Sequence, residues 1–135
     1  VAGAYRSSDV VRLSVSVPAD LPDVWVDRTL ISRAVTNVVE NAVQAMPAGG
    51  SIEVVARSDG DQIAIVVSDS GVGMDDEAAS RAFEPYFSTK TAGSGLGLPN
   101  AKRNIELCGG TIVLDSARGR GTRVTIRLPA ARPSA

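Results

Sequence analysis

From Leu30 onward Leu30, Ile31, Ala34, Val35, Val38, Ala42 and Met46 recur at helical spacing, in a run that Asp27 introduces as an N-cap and that Pro47, Gly49 and Gly50 end. That is one amphipathic helix of about four or five turns, and its apolar stripe has to be buried against another layer. The flanking sequence supplies a sheet. Val11, Leu13, Val15 and Val17 alternate with polar residues, the pattern of a half-buried strand, and Val24 to Val26 reads as a second short one. After the helix, Ile52 to Arg57 and Gln62 to Ser68 are joined across Asp59 and Gly60, a pair able to take up the positive φ values of a tight hairpin turn. The second of these strands contains IAIVV, apolar on both faces, which places it centrally in the sheet.

Asp75 to Ala82 is suited to a short helix, whereas Phe83 to Gly95 carries Pro85 and glycines without periodicity and reads as a loop of functional length. A second helix starts near Gly97 and ends at Gly109 and Gly110. Thr111 to Asp115 and Thr122 to Leu128 then pair around the turn Arg118, Gly119, Arg120, Gly121. The sum is an α/β chain, a two-layer α/β sandwich whose mixed sheet is covered on one face by helices.

A chain of 135 residues forms one domain, large enough to bury roughly two-thirds of the surface its unfolded form exposes. Residues 1–9 read as a linker, 10–129 as the folded unit and 130–135 as a flexible tail. The net charge of −1 with scattered basic residues argues against a binder of nucleic-acid backbones. A single cysteine, Cys108, excludes an internal disulfide and reads as a small apolar residue at a helix end. No run approaches the ~18 apolar residues of a membrane span, so a cytoplasmic domain without membrane contact is expected. Histidine is absent. That removes a histidine base, a histidine metal ligand and any phosphohistidine on this chain.

Three fragments carry chemistry. Asn37 and Asn41 are one helical turn apart on the same side of the first helix. Alone they are two solvated asparagines; as a pair they offer amide oxygens, hard neutral ligands suited to Mg²⁺. Asp69 closes an apolar strand and opens DSGVG, with Gly71 and Gly73. A carboxylate at the end of a buried strand needs a donor partner, although DSG by itself is also an ordinary turn. Gly93, Ser94, Gly95, Leu96 and Gly97 lead into a helix, whose N-terminal N–H groups form a site for phosphate oxygens. The segment is not a Walker loop, since no Gly-Lys-Ser/Thr ends it, and no βαβ unit surrounds it.

In this order and spacing the fragments resemble the N box and the two glycine boxes of the GHKL ATPase superfamily, which includes gyrase, mismatch-repair ATPases and sensor histidine kinases. FEPYFSTK, from Phe83 to Lys90, resembles the F box of histidine kinases of the nitrogen-regulator type. The resemblance runs from about Asp27 to Leu128 and implies the Bergerat ATP-binding fold with a mobile lid over the nucleotide. It implies ATP and Mg²⁺ as ligands, with adenine selected by Asp69, metal on Asn41, and Asn37 and Lys90 acting on the phosphates. Gln44 stands where many of these kinases carry lysine, and Met74, Gly71, Gly73, Gly93, Ser94, Gly95, Leu96 and Gly97 complete the implied nucleotide contacts.

The reaction implied is transfer of the γ-phosphoryl group to a histidine on a separate dimerisation domain, with a response regulator downstream. A monomeric fragment of a homodimeric kinase is then expected. Hydrolytic and serine-kinase members of the superfamily carry a glutamate at the position of Asn37 to activate water or a hydroxyl. An amide cannot accept that proton, which disfavours those alternatives. A non-catalytic nucleotide-binding regulatory module is the remaining alternative, with Gln44 as its one hint.

Overall fold

A computed structural model describes residues 11–18, 27–85 and 97–130, and the structural statements below concern these residues. They form β1 (Val11–Ser16), α1 (Arg28–Gln44), β2 (Gly50–Asp59), β3 (Gln62–Asp69), α2 (Asp76–Ser80), α3 (Gly97–Leu107), β4 (Thr111–Ser116) and β5 (Thr122–Pro129). The described strands make one sheet in the order β1-β2-β3-β5-β4. β1 and β2 run parallel and every other neighbouring pair is antiparallel. A parallel pair requires a crossover, and α1 supplies it.

The Oδ1 atom of Asp27 accepts from the N–H groups of Thr29 at 2.9 Å and Leu30 at 3.1 Å, a cap of the kind that contributes ~1 kcal/mol. These bonds start α1 at Arg28, two residues before the apolar stripe begins. The helix stops at Gln44, so Met46, expected in its last turn, lies beyond it. Pro47 is the cause, because the residue before a proline is pushed out of the α region. Met46 is buried all the same.

One apolar core lies between helices and sheet. Ala34, Val38, Ala42 and Met46 meet Leu98, Ala101 and Ile105 of α3, above Ile52, Val67, Ile112, Val124, Ile126 and Leu128 of the strands. Alanines at the contact let the two helices approach closely, and each larger aliphatic side chain buried here contributes roughly 1.5–3 kcal/mol. β3 occupies the centre of the sheet as expected, with Ile63, Ala64, Val66 and Val67 buried across both of its faces.

Three expectations shift. The two-residue hairpin turn is Gly60–Asp61 rather than Asp59–Gly60: Asp59 still pairs with Gln62 inside the ladder, and Gly60 alone takes the positive φ of +67°. Asp59 is held in its strand by Arg127, whose Nε donates to Oδ2 at 2.8 Å. β1 is less covered than its alternation suggests. Val11 packs against the core, but Leu13 and Val15 are 58% and 60% exposed on this edge strand, and Val17, expected in it, lies past its end and is 58% exposed. The short helix is capped by Asp75 and ends at Ser80. The strand expected at Val24 to Val26 lies outside the described residues, as does the loop beyond residue 85 up to Gly95. No helix among the described residues is long and apolar enough to cross a membrane.

Candidate functional site

Asp69 is the last residue of β3, paired with Ile52 on one side and Thr122 on the other. Its Oδ1 accepts two main-chain hydrogen bonds, from Gly71 at 2.8 Å and from Thr122 at 3.2 Å. The carboxylate expected to need a donor from a ligand is therefore already supported from within. That support uses one oxygen only. Among the described residues Oδ2 accepts no hydrogen bond, so the direction of a free acceptor is fixed by the bonds on its neighbour.

The loop that follows is fastened on both sides. On the helix side, Val72 N–H donates to the carbonyl of Ala45 at 3.2 Å. On the other, Val72 O accepts from Gly119 at 2.8 Å, and Met74 N–H donates to Ser116 Oγ at 2.8 Å. The glycines serve this seating. A Cβ on Gly71 would lie 2.7 Å from the carbonyl oxygen of Ala45, and one on Gly73 would collide with the carbonyl oxygen of Ala117. Their small size lets the loop lie against its own chain, which is an additional reason for them beyond the nucleotide contacts that the resemblance implies.

Asn37, Asn41 and Gln44 are half-buried along the last two turns of α1, while Glu40 is exposed. The carbonyl of Asn41 accepts from Ala45 N–H at 3.2 Å, so Asn41 stands one turn before the residue on which the glycine loop rests. The N-box amides and the first glycine box thus share the C-terminal end of α1. No hydrogen bond among the described residues engages the side chains of Asn37, Asn41 or Gln44, and no buried polar side-chain atom is left unpartnered. These amides are open to a ligand.

The donor set fits a metal carried by a nucleotide better than a metal held by protein alone. No group of three or more Cys, His, Asp or Glu able to hold a metal occurs among the described residues, and neutral amide oxygens leave most of an octahedron to phosphate and water. The negative end of the α1 macrodipole lies beside Asn41, with no basic residue in the last turn to offset it.

Gly97 opens α3, and a Cβ there would meet nothing within 4 Å. Lys90, Gly93, Ser94, Gly95 and Leu96 lie outside the described residues. Phe83 is half-buried and packs against the core, as an anchor would. Of the basic residues near these segments, Arg81 bonds to Glu84 at 3.1 Å and Arg103 is exposed. Cys108 is half-buried against the core.

The sequence reading located the turn between β4 and β5 but gave it no part in the site. Ser116 and Thr122 face each other across it, Gly119 and Gly121 take φ values of +81° and +78°, and Arg118 reaches Asp75 at 3.1 Å. A signal was present. Ser116 and Thr122 interrupt two alternating series, Ile112, Leu114, Ser116 and Thr122, Val124, Ile126, Leu128, at positions where the core takes apolar residues.

A family model described as histidine kinase-, DNA gyrase B-, and HSP90-like ATPase matches residues 26–132. Sporulation kinase B of Bacillus subtilis (strain 168) is 43% identical over 124 residues, which cover 89% of this chain and 29% of that protein. Alginate biosynthesis sensor protein KinB of Pseudomonas aeruginosa is 38% identical over 121 residues, covering 88% of this chain and 20% of its own length. The chain spans less than a third of the length of these curated relatives. Among solved structures, the mycobacterial sensor histidine kinase MprB is similar with a TM-score of 0.75 at 31% identity, covering 92% of this chain and 84% of that one. Full-length ShkA in complex with AMPPNP gives a TM-score of 0.79 at 28% identity over 93% of this chain and 27% of that one. With the mixed five-stranded sheet, the seating of the glycine loop and the N-box helix in agreement with the fold that the motifs imply, the chain belongs to the histidine kinase-, DNA gyrase B- and HSP90-like ATPase family, on its sensor histidine kinase side.

Proposed function

We propose that this domain binds Mg·ATP and presents the γ-phosphoryl group to a histidine on a separate dimerisation and phosphoacceptor domain of a sensor kinase. The observation that carries the reading is the half-engaged carboxylate of Asp69, with Oδ1 held by two main-chain N–H groups and Oδ2 open, on a loop seated against the N-box helix. Asp69 accepts the exocyclic amino group of adenine. Asn41 supplies an amide oxygen to the metal, and Asn37 and Gln44 face the phosphates from the same helix. Bound Mg²⁺ would neutralise charge on the phosphate oxygens. Gly71, Gly73 and Met74 form the wall against the base, and Gly97 with residues 93–96 and Lys90, assigned by sequence alone, hold the phosphates.

Asn37 bears no proton-accepting group, so neither water nor a serine hydroxyl is activated from its position on α1. The base for the acceptor histidine then belongs to the partner domain. Residues 10–129 act as one catalytic unit, in the cytoplasm, within a kinase that is homodimeric through the partner domain and passes its phosphoryl group to a response regulator. Calorimetric titration with ATP and GTP tests the nucleotide assignment. ATP binding with no measurable GTP binding is expected, and equal affinities would overturn it.

A further inference from the structure

The hydroxyl of Ser116 has no place in the reading above, yet three segments of the site meet on it. It accepts the Met74 N–H at 2.8 Å, donates to the carbonyl of Gly121 at 3.0 Å and shares a hydrogen bond with Thr122 Oγ1 at 2.8 Å. A serine hydroxyl has one proton and two lone pairs. With its proton on Gly121 O, both lone pairs are filled, one by Met74 N–H and the other by the Thr122 hydroxyl, and every group in the cluster is satisfied. No other side chain among the described residues bonds the Met74 amide.

The partners of Ser116 lead to Asp69 from two directions. Thr122 N–H is one of the two donors on Asp69 Oδ1, and Gly121 lies so close that a Cβ there would collide with the Asp69 carbonyl oxygen. Met74 ends the loop that Asp69 opens. One hydroxyl therefore ties the far end of the DSGVG loop to the strand that holds its near end. Its position in β4 is a core-facing one, after Ile112 and Leu114, where burial alone favours an aliphatic side chain.

We propose that Ser116 is a positioning residue for the nucleobase, fixing through Met74 and the Gly121–Thr122 segment the direction of the open Asp69 oxygen, and hence the preference for a base with a 6-amino donor. The inference rests on the assignment of Asp69 to adenine. It concerns selectivity and leaves the phosphate contacts untouched.

The test compares ATP with ITP, which carries a 6-oxo group in place of the 6-amino group, by calorimetry with Mg²⁺ present, alongside thermal melts. Ser116→Ala is expected to lower ATP affinity about tenfold, the scale of a lost hydrogen bond, and to change ITP affinity less than about twofold. Ser116→Thr keeps the hydroxyl and is expected to restore the ATP preference. Should alanine unfold the chain, Ser116→Cys keeps the volume with a weak donor and is read the same way. Equal losses for ATP and ITP, or an unchanged ATP affinity, would overturn the proposal. Asp69→Asn separates the two readings: if it collapses the ATP preference while Ser116→Ala leaves it intact, only the role of Ser116 fails. If Asp69→Asn itself leaves the preference unchanged, the adenine assignment fails and this inference with it.

Discussion

The main-chain N–H of Thr122 donates to Oδ1 of Asp69 at 3.2 Å, joining two residues 53 positions apart. With Gly71 N–H on the same oxygen at 2.8 Å, the carboxylate has one direction in which to accept from a ligand. Asp69→Asn can keep an amide oxygen on the two N–H groups while turning the open acceptor into a donor. ATP affinity is expected to fall roughly ten- to a hundredfold, as for a lost hydrogen bond to a charged group, with the melting temperature nearly unchanged. Asp69→Ala removes the loop bonds as well, so it is expected to lose binding and melt lower. Full ATP affinity in Asp69→Asn would exclude Asp69 as the adenine acceptor.

Gly119 and Gly121 both have positive φ, but their surroundings differ. A Cβ at Gly119 would meet nothing within 4 Å, whereas one at Gly121 would strike the carbonyl of Asp69. Gly119→Ala is expected to cost about 1–2 kcal/mol of backbone strain, and Gly121→Ala clearly more, with ATP binding lost too. Urea unfolding of the two variants measures the difference. Equal costs would contradict the close approach of the turn to Asp69.

Arg127 donates to Asp59 at 2.8 Å, and that hydrogen bond, more than the charge of Arg127 or Arg57, holds the Asp59 carboxyl below its ordinary 3.8. A folded-state value below the unfolded one adds stability above the unfolded value, and that stability is lost as pH falls through the folded value. Arg127→Ala is therefore expected to be less stable than the parent at neutral pH, with the gap closing as the pH drops below about 3.8 and shrinking in high salt. A gap that persists in acid would mean that Arg127 acts through packing of its stem.

Asn41 is half-buried on the last full turn of α1, beside the seat of the glycine loop. Asn41→Ala is expected to lower ATP affinity about tenfold when Mg²⁺ is present and to leave the much weaker binding in chelator unchanged. The same titration in both conditions checks this. Equal losses with and without Mg²⁺ would point to a contact with the nucleotide itself.

Much of the fold was legible because it rests on local signals. Asp27 and the 3.6-residue stripe from Leu30 located α1, and the doubly apolar IAIVV run placed β3 at the centre of the sheet. The boundary at Met46 was misread because the stripe continues past the point where Pro47 stops the helix: Met46 is buried without being helical. The turn at Gly60–Asp61 moved by one residue because a side-chain bond to Arg127, 68 positions away, keeps Asp59 in its strand. Asn41 and Asp69 were singled out from motif order, and the structure brings their segments together at the C-terminal end of α1. Ser116 and Thr122 show locally only as polar breaks in two apolar series, and their partners are set by the register that brings the start of β5 beside the end of β3, which no local pattern encodes.

The most direct test of the proposed reaction is incubation of the chain with labelled ATP and Mg²⁺, with and without a separately supplied histidine-bearing dimerisation domain. The chain has no histidine, and Asn37 offers no base, a loss typically worth a factor of about 10² to 10⁴ in rate. The expected result is acid-labile, alkali-stable phosphate on the partner domain, none on this chain, and little ATP turnover in the partner's absence. Acid-stable phosphate on serine or threonine, or rapid hydrolysis by the chain alone, would contradict it.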